Sequence, residues 1–259
     1  ETQINEAAGI GEYHGPRSQM MRCIDHPTMV RDGVGWGAPT GITAGFLAQN
    51  GFTGAPALTC VGPHWKSLGN KWKLVTDTHY KPYPCCRWAH PSIDAASELM
   101  LHHNISHQGI ASVKIRTFHN ATRLAGHKPV SADEFAYSIA FPVACMIVRG
   151  QVGVSELEVS TLKDPNILRI SAATTLIEDA HLTQLSDGKR WAQVSILMQN
   201  GTQYDAAPST PRGDTDLPLS DAEISEKFHH FSDHILGSRV SKKIEELATK
   251  FDELNAREV

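Results

Sequence analysis

The chain has 259 residues, of which 41% are hydrophobic and 20% are charged. This length allows one large domain or two smaller ones with a substantial core, and the composition excludes disordered, collagen-like and low-complexity proteins. The formal net charge of −4 argues against a nucleic-acid-binding protein held by bulk charge. Apolar runs are short, so we expect no membrane-spanning segment and no secretion signal.

The cysteine pattern bears on the redox environment and on metal binding. There are five cysteines and no CxxC pair, which favours reduced thiols in a cytoplasmic protein over a disulfide framework or a zinc ribbon. The histidines match no zinc-binding spacing either, so we expect no metal site.

Secondary structure in the first 105 residues is predicted to be mainly helical. Residues 1–36 show no clear period and are predicted to be mostly loop, with short helical turns. Residues 38–49 are rich in small residues, which favours a closely packed helix that ends at Asn50-Gly51. Apolar residues at helical spacing predict a second helix from Pro91 to about residue 103.

The middle of the chain mixes strand and helix signals. Residues 112–118 alternate between apolar and charged side chains, as in a half-buried strand. Ser131-Ala-Asp-Glu134 is a capping box that predicts an apolar helix to about Val148, with a kink at Pro142. Asp164-Pro165 predicts the start of another short helix.

The last third of the chain predicts a hairpin and two helices. Residues 192–198 alternate, and Asn200-Gly201 supplies the turn. Ser220-Asp-Ala-Glu223 is a second capping box, whose helix ends at Gly237. Apolar residues at helical spacing indicate a final amphipathic helix: Val240, Ile244, Leu247, Phe251 and Leu254.

Turn-forming residues and the scarcity of strands indicate the domain organisation. Residues 208–218 are rich in such residues and are predicted to be a linker. Strands are few and scattered among helices, which favours an α+β fold over a doubly wound sheet.

The most unusual stretch is residues 79–91, in which two prolines precede the helix predicted from Pro91 and stand close to Lys81, Arg87 and His90. Lysine and histidine exchange protons when burial or neighbouring charges tune their pKa values, and arginine binds carboxylates through two hydrogen bonds. Lys and Arg also outnumber Asp and Glu across residues 22–90. One interpretation is a site that holds a di- or tricarboxylate and moves a proton. The other, favoured by spacing alone, is a solvated loop whose aromatic residues pack on the next helix.

A second cluster, residues 21–37, combines Arg22, His26 and Arg31 with three glycines at alternate positions. No Lys-Ser/Thr pair follows the glycines, so this is not a Walker-type phosphate loop. These three basic residues are candidate ligand contacts, and a structural loop with exposed basic groups is an equal alternative.

Several of these stretches resemble the MmgE/PrpD family. The resemblance is carried by residues 33–54, which include Gly-Phe-Thr-Gly, and by residues 80–96, which include Lys-Pro-Tyr-Pro-Cys. It extends to residues 134–150 and 212–223, and so covers most of the chain. The family includes 2-methylcitrate dehydratase, cis-aconitate decarboxylase and iminodisuccinate epimerase, which act on small polycarboxylates without a metal or an organic cofactor.

The resemblance implies part of an all-helical domain with an inserted smaller α+β domain. Residues 1–75 are then a partial helical domain, residues 76–215 the α+β domain, and residues 216–259 C-terminal helices that return to the helical domain. Full-length members carry a further helical segment before these residues. We therefore expect a homodimer, or a partner chain that supplies the missing helices, and no nucleic-acid or membrane partner.

The resemblance also implies roles for individual residues in the turn before the helix at Pro91. Lys81 matches the family's active-site lysine and His90 a family histidine, and both are predicted to transfer protons. Cys86 stands where the decarboxylases place a histidine and is predicted to contact substrate. Phe141 replaces an active-site tyrosine, so that position has no proton donor.

The predicted function is a cofactor-independent lyase, similar to 2-methylcitrate dehydratase, that abstracts a proton next to a carboxylate. Arg31, which lies near the place of another active-site lysine, and Arg87 are predicted to hold substrate carboxylates, with Arg22 as a further contact. The alternatives are a decarboxylase or epimerase of the same family, or a non-catalytic binding or scaffold fragment.

Overall fold

The computed structural model describes residues 1–31, 33–124 and 126–253. Contacts divide the chain into two compact units, residues 1–76 and 77–259. The architecture is mixed α/β with one four-stranded sheet. In the described ranges, no helix is both long enough and apolar enough to cross a bilayer.

The first unit is helical in its described part. Its elements are α1 (Thr2–His14), α2 (Met20–Asp25), α3 (Val34–Gln49), α4 (Leu58–Val61) and α5 (Lys73–Thr76), with a 3-10 turn at Pro63–Trp65.

The helix α1 shows that the loop prediction for residues 1–36 was wrong. The segment lacks a strong apolar period, but it holds good helix formers such as Glu6 and Ala7. It is stabilised by packing on α3, where Ile10 is buried with Ala44 and Ala48. The helix predicted at residues 38–49 is confirmed as part of α3.

The second unit contains the sheet and eight of the described α-helices. The strands are β1 (Ile110–Thr117), β2 (Thr174–Glu178), β3 (Ala192–Met198) and β4 (Gln203–Asp205). The helices are α6 (His90–His102), α7 (Ala132–Ala136), α8 (Ala140–Arg149), α9 (Val159–Leu162), α10 (Pro165–Ala172), α11 (Ala180–Leu185), α12 (Asp221–Leu236) and α13 (Ser238–Thr249). Short 3-10 turns lie at Arg87–Ala89, His107–Gly109, His119–Arg123, Val154–Leu157 and Phe251–Glu253.

The strand order is β2-β1-β3-β4. The central strand β1 pairs in parallel with β2 and antiparallel with β3. Its inward side chains Val113, Ile115 and Thr117 are buried, as the alternation predicted. The core forms where α6 packs on β3 and α8, and where α10 packs on α8 and β1.

Other elements with local signals are confirmed. The helix predicted from Pro91 is α6, and the Asn200-Gly201 turn joins β3 to β4. Asp164 accepts hydrogen bonds from Asn166 N and Ile167 N at the start of α10. The predicted C-terminal helices are α12 and α13, and Leu254 lies outside the described residues.

The single kinked helix predicted from Ser131 to Val148 is wrong. Ser131 does cap α7, but that helix ends at Ala136 and α8 begins at Ala140. Pro142 is the third residue of α8, where a backbone N–H has no intrahelical acceptor. The proline therefore sits in the first turn of a new helix instead of kinking a longer one.

The prediction that residues 208–218 form a linker is also wrong. Ser209 pairs with Ala192, and Asp214 is 4% exposed and bonded to residues before α6. Helices α12 and α13 group with the second unit. The division into a helical domain and an inserted α+β domain stays a prediction.

Candidate functional site

The turn formed by residues 79–90 leads into α6 and carries most of the predicted site residues. A 3-10 turn at Arg87–Ala89 runs directly into the helix. The amide of Cys86 donates to the carbonyl of Ala136, with an N–O distance of 2.7 Å. This bond fixes the turn against the end of α7.

Lys81 and His90 meet at one backbone oxygen. Lys81 Nζ donates to the carbonyl of Cys85 at 3.4 Å, and His90 Nε2 lies 3.2 Å from the same oxygen. Lys81 is exposed, whereas His90 is 0% exposed. The structure thus brings the two predicted proton-transfer residues together, one at the surface and one enclosed.

His90 is a neutral imidazole at physiological pH. Burial, reinforced by the charges of Lys81 and Arg87, lowers its pKa to about 3. Because a carbonyl oxygen only accepts hydrogen bonds, Nε2 carries the proton and Nδ1 is an acceptor. Within the described residues this buried Nδ1 has no hydrogen-bond partner.

The two neighbouring cysteines are thiols rather than thiolates. Burial raises the pKa of both Cys85 and Cys86, although the side chain of Cys86 is less deeply buried. Lys81, Arg87 and Arg190 oppose this effect at Cys86. Half-buried Cys86 therefore lies among three cations but keeps its proton.

Arg87 is already paired with Asp214, a carboxylate from outside the turn. Its Nη2 donates to Asp214 Oδ2 at 2.7 Å, and His79 Nδ1 lies 3.0 Å from the other oxygen of that carboxylate. The Arg87 side chain is 26% exposed. It thus retains an exposed part, but its charge is largely balanced by Asp214.

A cleft of about 420 Å³ opens beside the turn, and Pro82 and Tyr83 of the turn form part of its lining. It lies next to α12 and the end of α8. Its polar lining comes from Tyr83, Arg212, Glu223, Glu226, Lys227 and His230. The volume suits a small organic acid.

Lys227, on α12, joins this cleft to the turn. Its Nζ donates to the carbonyl of Lys81, and the ammonium lies 5.8 Å from the centre of the Phe231 ring. Burial, and then the charge of Lys81, lowers the pKa of Lys227. In the described part of the chain neither lysine has a carboxylate partner. Sequence reasoning missed Lys227 because its only local feature is its place in a capped helix.

The wall of the cleft is held by a hydrogen-bond network. Tyr83 Oη donates to Asp94 Oδ1 at 2.6 Å, and Arg212 Nε donates to the same oxygen at 3.1 Å. Arg212 also pairs with Glu223. Burial raises the pKa of Tyr83, and Asp94 raises it further, so this phenol stays protonated.

Arg22 and Arg31 lie in the first unit, apart in sequence from the turn. Both line a depression of about 330 Å³ that also includes His26. Arg31 donates to the carbonyls of Thr28 and Val30. The structure thus brings the two arginines to one place, and their predicted role with Lys81 stays a prediction.

Phe141, which replaces the family tyrosine, is enclosed in the core. It is 0% exposed, and its ring centre lies 5.8 Å from that of Phe135.

Fold and site together define a mixed α/β protein with a cationic turn beside a polar cleft. A sequence model of the MmgE/PrpD C-terminal domain matches residues 83–253. The chain belongs to the MmgE/PrpD family, which includes dehydratases and related enzymes. Cys86, Arg87 and His90 lie inside the matched range, and Lys81 lies just before it. No curated protein matches the chain.

Proposed function

We propose that the protein acts as a cofactor-independent lyase on a small di- or tricarboxylate, in the manner of 2-methylcitrate dehydratase. The observation that carries this proposal is the meeting of Lys81 and His90 at the Cys85 carbonyl, beside the cleft that Lys227 lines. Two lysines without carboxylate partners in the described chain favour an anionic ligand there.

Lys81 is proposed to transfer the proton. Its ammonium is exposed and is held by a single carbonyl, so it is free to turn toward a bound substrate. In a dehydration its deprotonated amine would take the proton next to the substrate carboxylate, and the same group would return that proton to the hydroxyl, which leaves as water. His90 as a second proton-transfer group stays a prediction, because the enclosed ring would have to be uncovered before its Nδ1 reached a substrate.

The surrounding cations are proposed to hold and stabilise the substrate. Removal of a proton next to a carboxylate builds negative charge on that carboxylate, and fixed positive groups lower the energy of this state. Lys227 and the exposed part of Arg87 are proposed to supply that charge, with Cys86 as a neutral contact. A role of Arg22 and Arg31 as carboxylate ligands stays a prediction from the sequence.

Replacement of Lys81 tests the assignment. Wild-type protein and Lys81→Ala are assayed with 2-methylcitrate, citrate and cis-aconitate by chromatography of the products. We expect turnover of at least one substrate, and about 10²- to 10⁴-fold lower kcat in the variant, the usual contribution of an acid–base group. Lys81→Arg keeps the charge but cannot exchange the proton, so it should lose activity similarly.

The matched control is Lys163→Ala, which removes an exposed lysine at the end of α9. It should leave kcat unchanged. Equal turnover by wild type and Lys81→Ala would remove Lys81 from the mechanism. Release of CO₂ would instead identify a decarboxylase, and inversion at one carbon without elimination an epimerase.

A non-catalytic binding or scaffold role is the second candidate. Two observations favour it. Arg87, a predicted substrate ligand, is already paired with Asp214, and Phe141, which replaces the family tyrosine, is enclosed in the core. Calorimetry with the same carboxylates, read beside the turnover assay, distinguishes the candidates: a scaffold gives no heat with any of them, and a binding fragment gives heat without turnover.

A further inference from the structure

Asp214 contacts the turn formed by residues 79–90 on both sides of Lys81. Its side chain is 5% exposed, and its two oxygens accept from different residues of the turn. Oδ1 lies 3.0 Å from His79 Nδ1, two residues before Lys81. Oδ2 accepts from Arg87 Nη2 at 2.7 Å, six residues after Lys81. One buried carboxylate thus joins the beginning and the end of the turn.

The backbone next to Asp214 makes a second connection to the turn. The amide of Tyr80 donates to the carbonyl of Gly213 at 2.9 Å. Gly213 has a φ of +87°, and a Cβ at this position would lie 1.8 Å from the carbonyl oxygen of Tyr80. Only glycine therefore permits this approach.

The segment that carries Gly213 and Asp214 is itself well defined. Gly213 N donates to the carbonyl of Leu217 at 2.8 Å, and Leu217 N donates back to Asp214 at 3.0 Å. These two bonds close a small loop. The carboxylate is thus presented from a fixed backbone rather than from a mobile chain.

The charge of Asp214 matters because the turn is otherwise cationic. Arg87 lies close enough to Arg190 to lower the pKa of that guanidinium, after the larger effect of burial. Removing the carboxylate would leave Arg87 partly buried without its partner, and such a loss is costly. Arg87 would then move away from Arg190, and the residues of the turn would move with it.

We propose that Asp214 is a positioning residue that holds the turn formed by residues 79–90, and with it Lys81, in one orientation beside the cleft. A positional error of about 1 Å lowers turnover by as much as about 10²-fold. The inference rests on the proposed function only for the chemistry assigned to Lys81. That Asp214 orders the turn does not depend on the reaction that the protein catalyses.

The test compares Asp214→Asn with Asp216→Asn in the full chain. Asparagine keeps the size of Asp214 but removes its charge. Asp216 is a control in the same segment, because among the described residues it pairs directly with the exposed Lys189 and interacts with Arg87 only through the weaker coulombic attraction. Hydrogen exchange of the peptide containing Tyr80 and kcat on the best polycarboxylate are measured well below the melting temperature.

For Asp214→Asn we expect about tenfold faster exchange at Tyr80, with amides of β1 and β3 unchanged, and about 10- to 100-fold lower kcat with KM changed much less. Asp216→Asn should match wild type in both measurements. Gly213→Ala keeps every charge and should loosen the same peptide through its clash with Tyr80.

The outcomes separate this inference from the proposed function. Unchanged exchange at Tyr80 in Asp214→Asn overturns the inference, as does an equal rise at all amides, which would show general destabilisation. A loosened turn with unchanged kcat overturns the positioning role. If wild type turns over no polycarboxylate, the proposed function fails, and the exchange data still decide whether Asp214 orders the turn.

Discussion

His90 and His229 lie in opposite electrostatic surroundings. His90 is enclosed, and burial lowers its pKa to about 3. His229 contacts Asp233 Oδ1 at 2.9 Å and Glu245 Oε2 at 3.1 Å, one on each ring nitrogen, and these carboxylates raise its pKa. His90 is therefore kept neutral in the folded protein, whereas the charged form of His229 is stabilised by its two carboxylate partners.

The neutral state of His90 predicts a loss of stability in mild acid. The unfolded chain binds a proton at this residue below its ordinary pKa of 6.5, and the folded protein does not until about pH 3. Folding stability should thus fall as pH drops from 7 toward 5, by up to about 1.4 kcal/mol per pH unit. Urea denaturation at several pH values measures this slope.

His90→Gln is the comparison variant for that slope. It should show a weaker pH dependence between pH 7 and 5 than wild type. The same slope in both proteins would contradict the assignment of a neutral buried imidazole. His229 acts in the opposite direction, because the stability from a raised pKa is present in acid and lost as pH rises through the folded value.

Which site residues the sequence can reveal depends on how far apart they are in the chain. Lys81 and His90 are nine positions apart in a turn that contains two prolines, so the sequence could suggest their proximity, although spacing alone favoured a solvated loop. Asp214 and Lys227 reach the same turn from more than 120 residues away. No local pattern encodes such contacts, because they depend on how distant segments of the second unit pack together.

Among the elements, several with caps and turns were predicted, whereas α11, which Asp179 caps, and β2, whose pairing is set by packing, were not. Asp164 and Ser220 make hydrogen bonds with nearby amides, so their signals are local. The strand β2 was missed because it is a short edge strand of mixed burial that follows α10 almost directly. Its pairing with β1 is set by tertiary contacts.

The start of α12 provides a test at this scale. Ser220 Oγ accepts from Glu223 N at 3.3 Å, and Glu223 Oε2 accepts from Ser220 N at 2.8 Å. Ser220→Ala should lower the free energy of unfolding by about 1 kcal/mol, and Ser220→Gly by only a few tenths. Urea denaturation measures both. Equal stability of Ser220→Ala and wild type would contradict the capping assignment.

Across the whole molecule, the two units differ in how much apolar surface they bury. In the described part of the first unit, α3 leaves Trp36, Ile42 and Phe46 exposed, while its buried cluster with α1 consists of Ile10, Ala44 and Ala48. The second unit buries both faces of α8 and the inner side of β1. A homodimer, or a partner chain that covers such apolar side chains, remains a proposal.

Because of this difference, we expect the second unit to fold on its own and the first unit not to. Residues 77–259 expressed alone should unfold cooperatively, because their core is contained within the unit. Residues 1–76 alone should show little fixed tertiary structure, since so small a core does not offset chain entropy. Thermal melts followed by near-ultraviolet circular dichroism test both. A cooperative melt of residues 1–76 would contradict the prediction.

The hydrogen bond between Tyr80 and Gly213 has a consequence for protein engineering. Residues 80 and 213 are far apart along the chain but adjacent in space, so the stretch between them begins and ends at the same place in the fold. A stretch whose two ends lie close together meets the geometric condition for circular permutation. A chain of residues 80–213 with its two ends linked directly, and with new ends opened in an exposed loop such as Asn200-Gly201, would keep each strand and the helices α6 to α11 continuous.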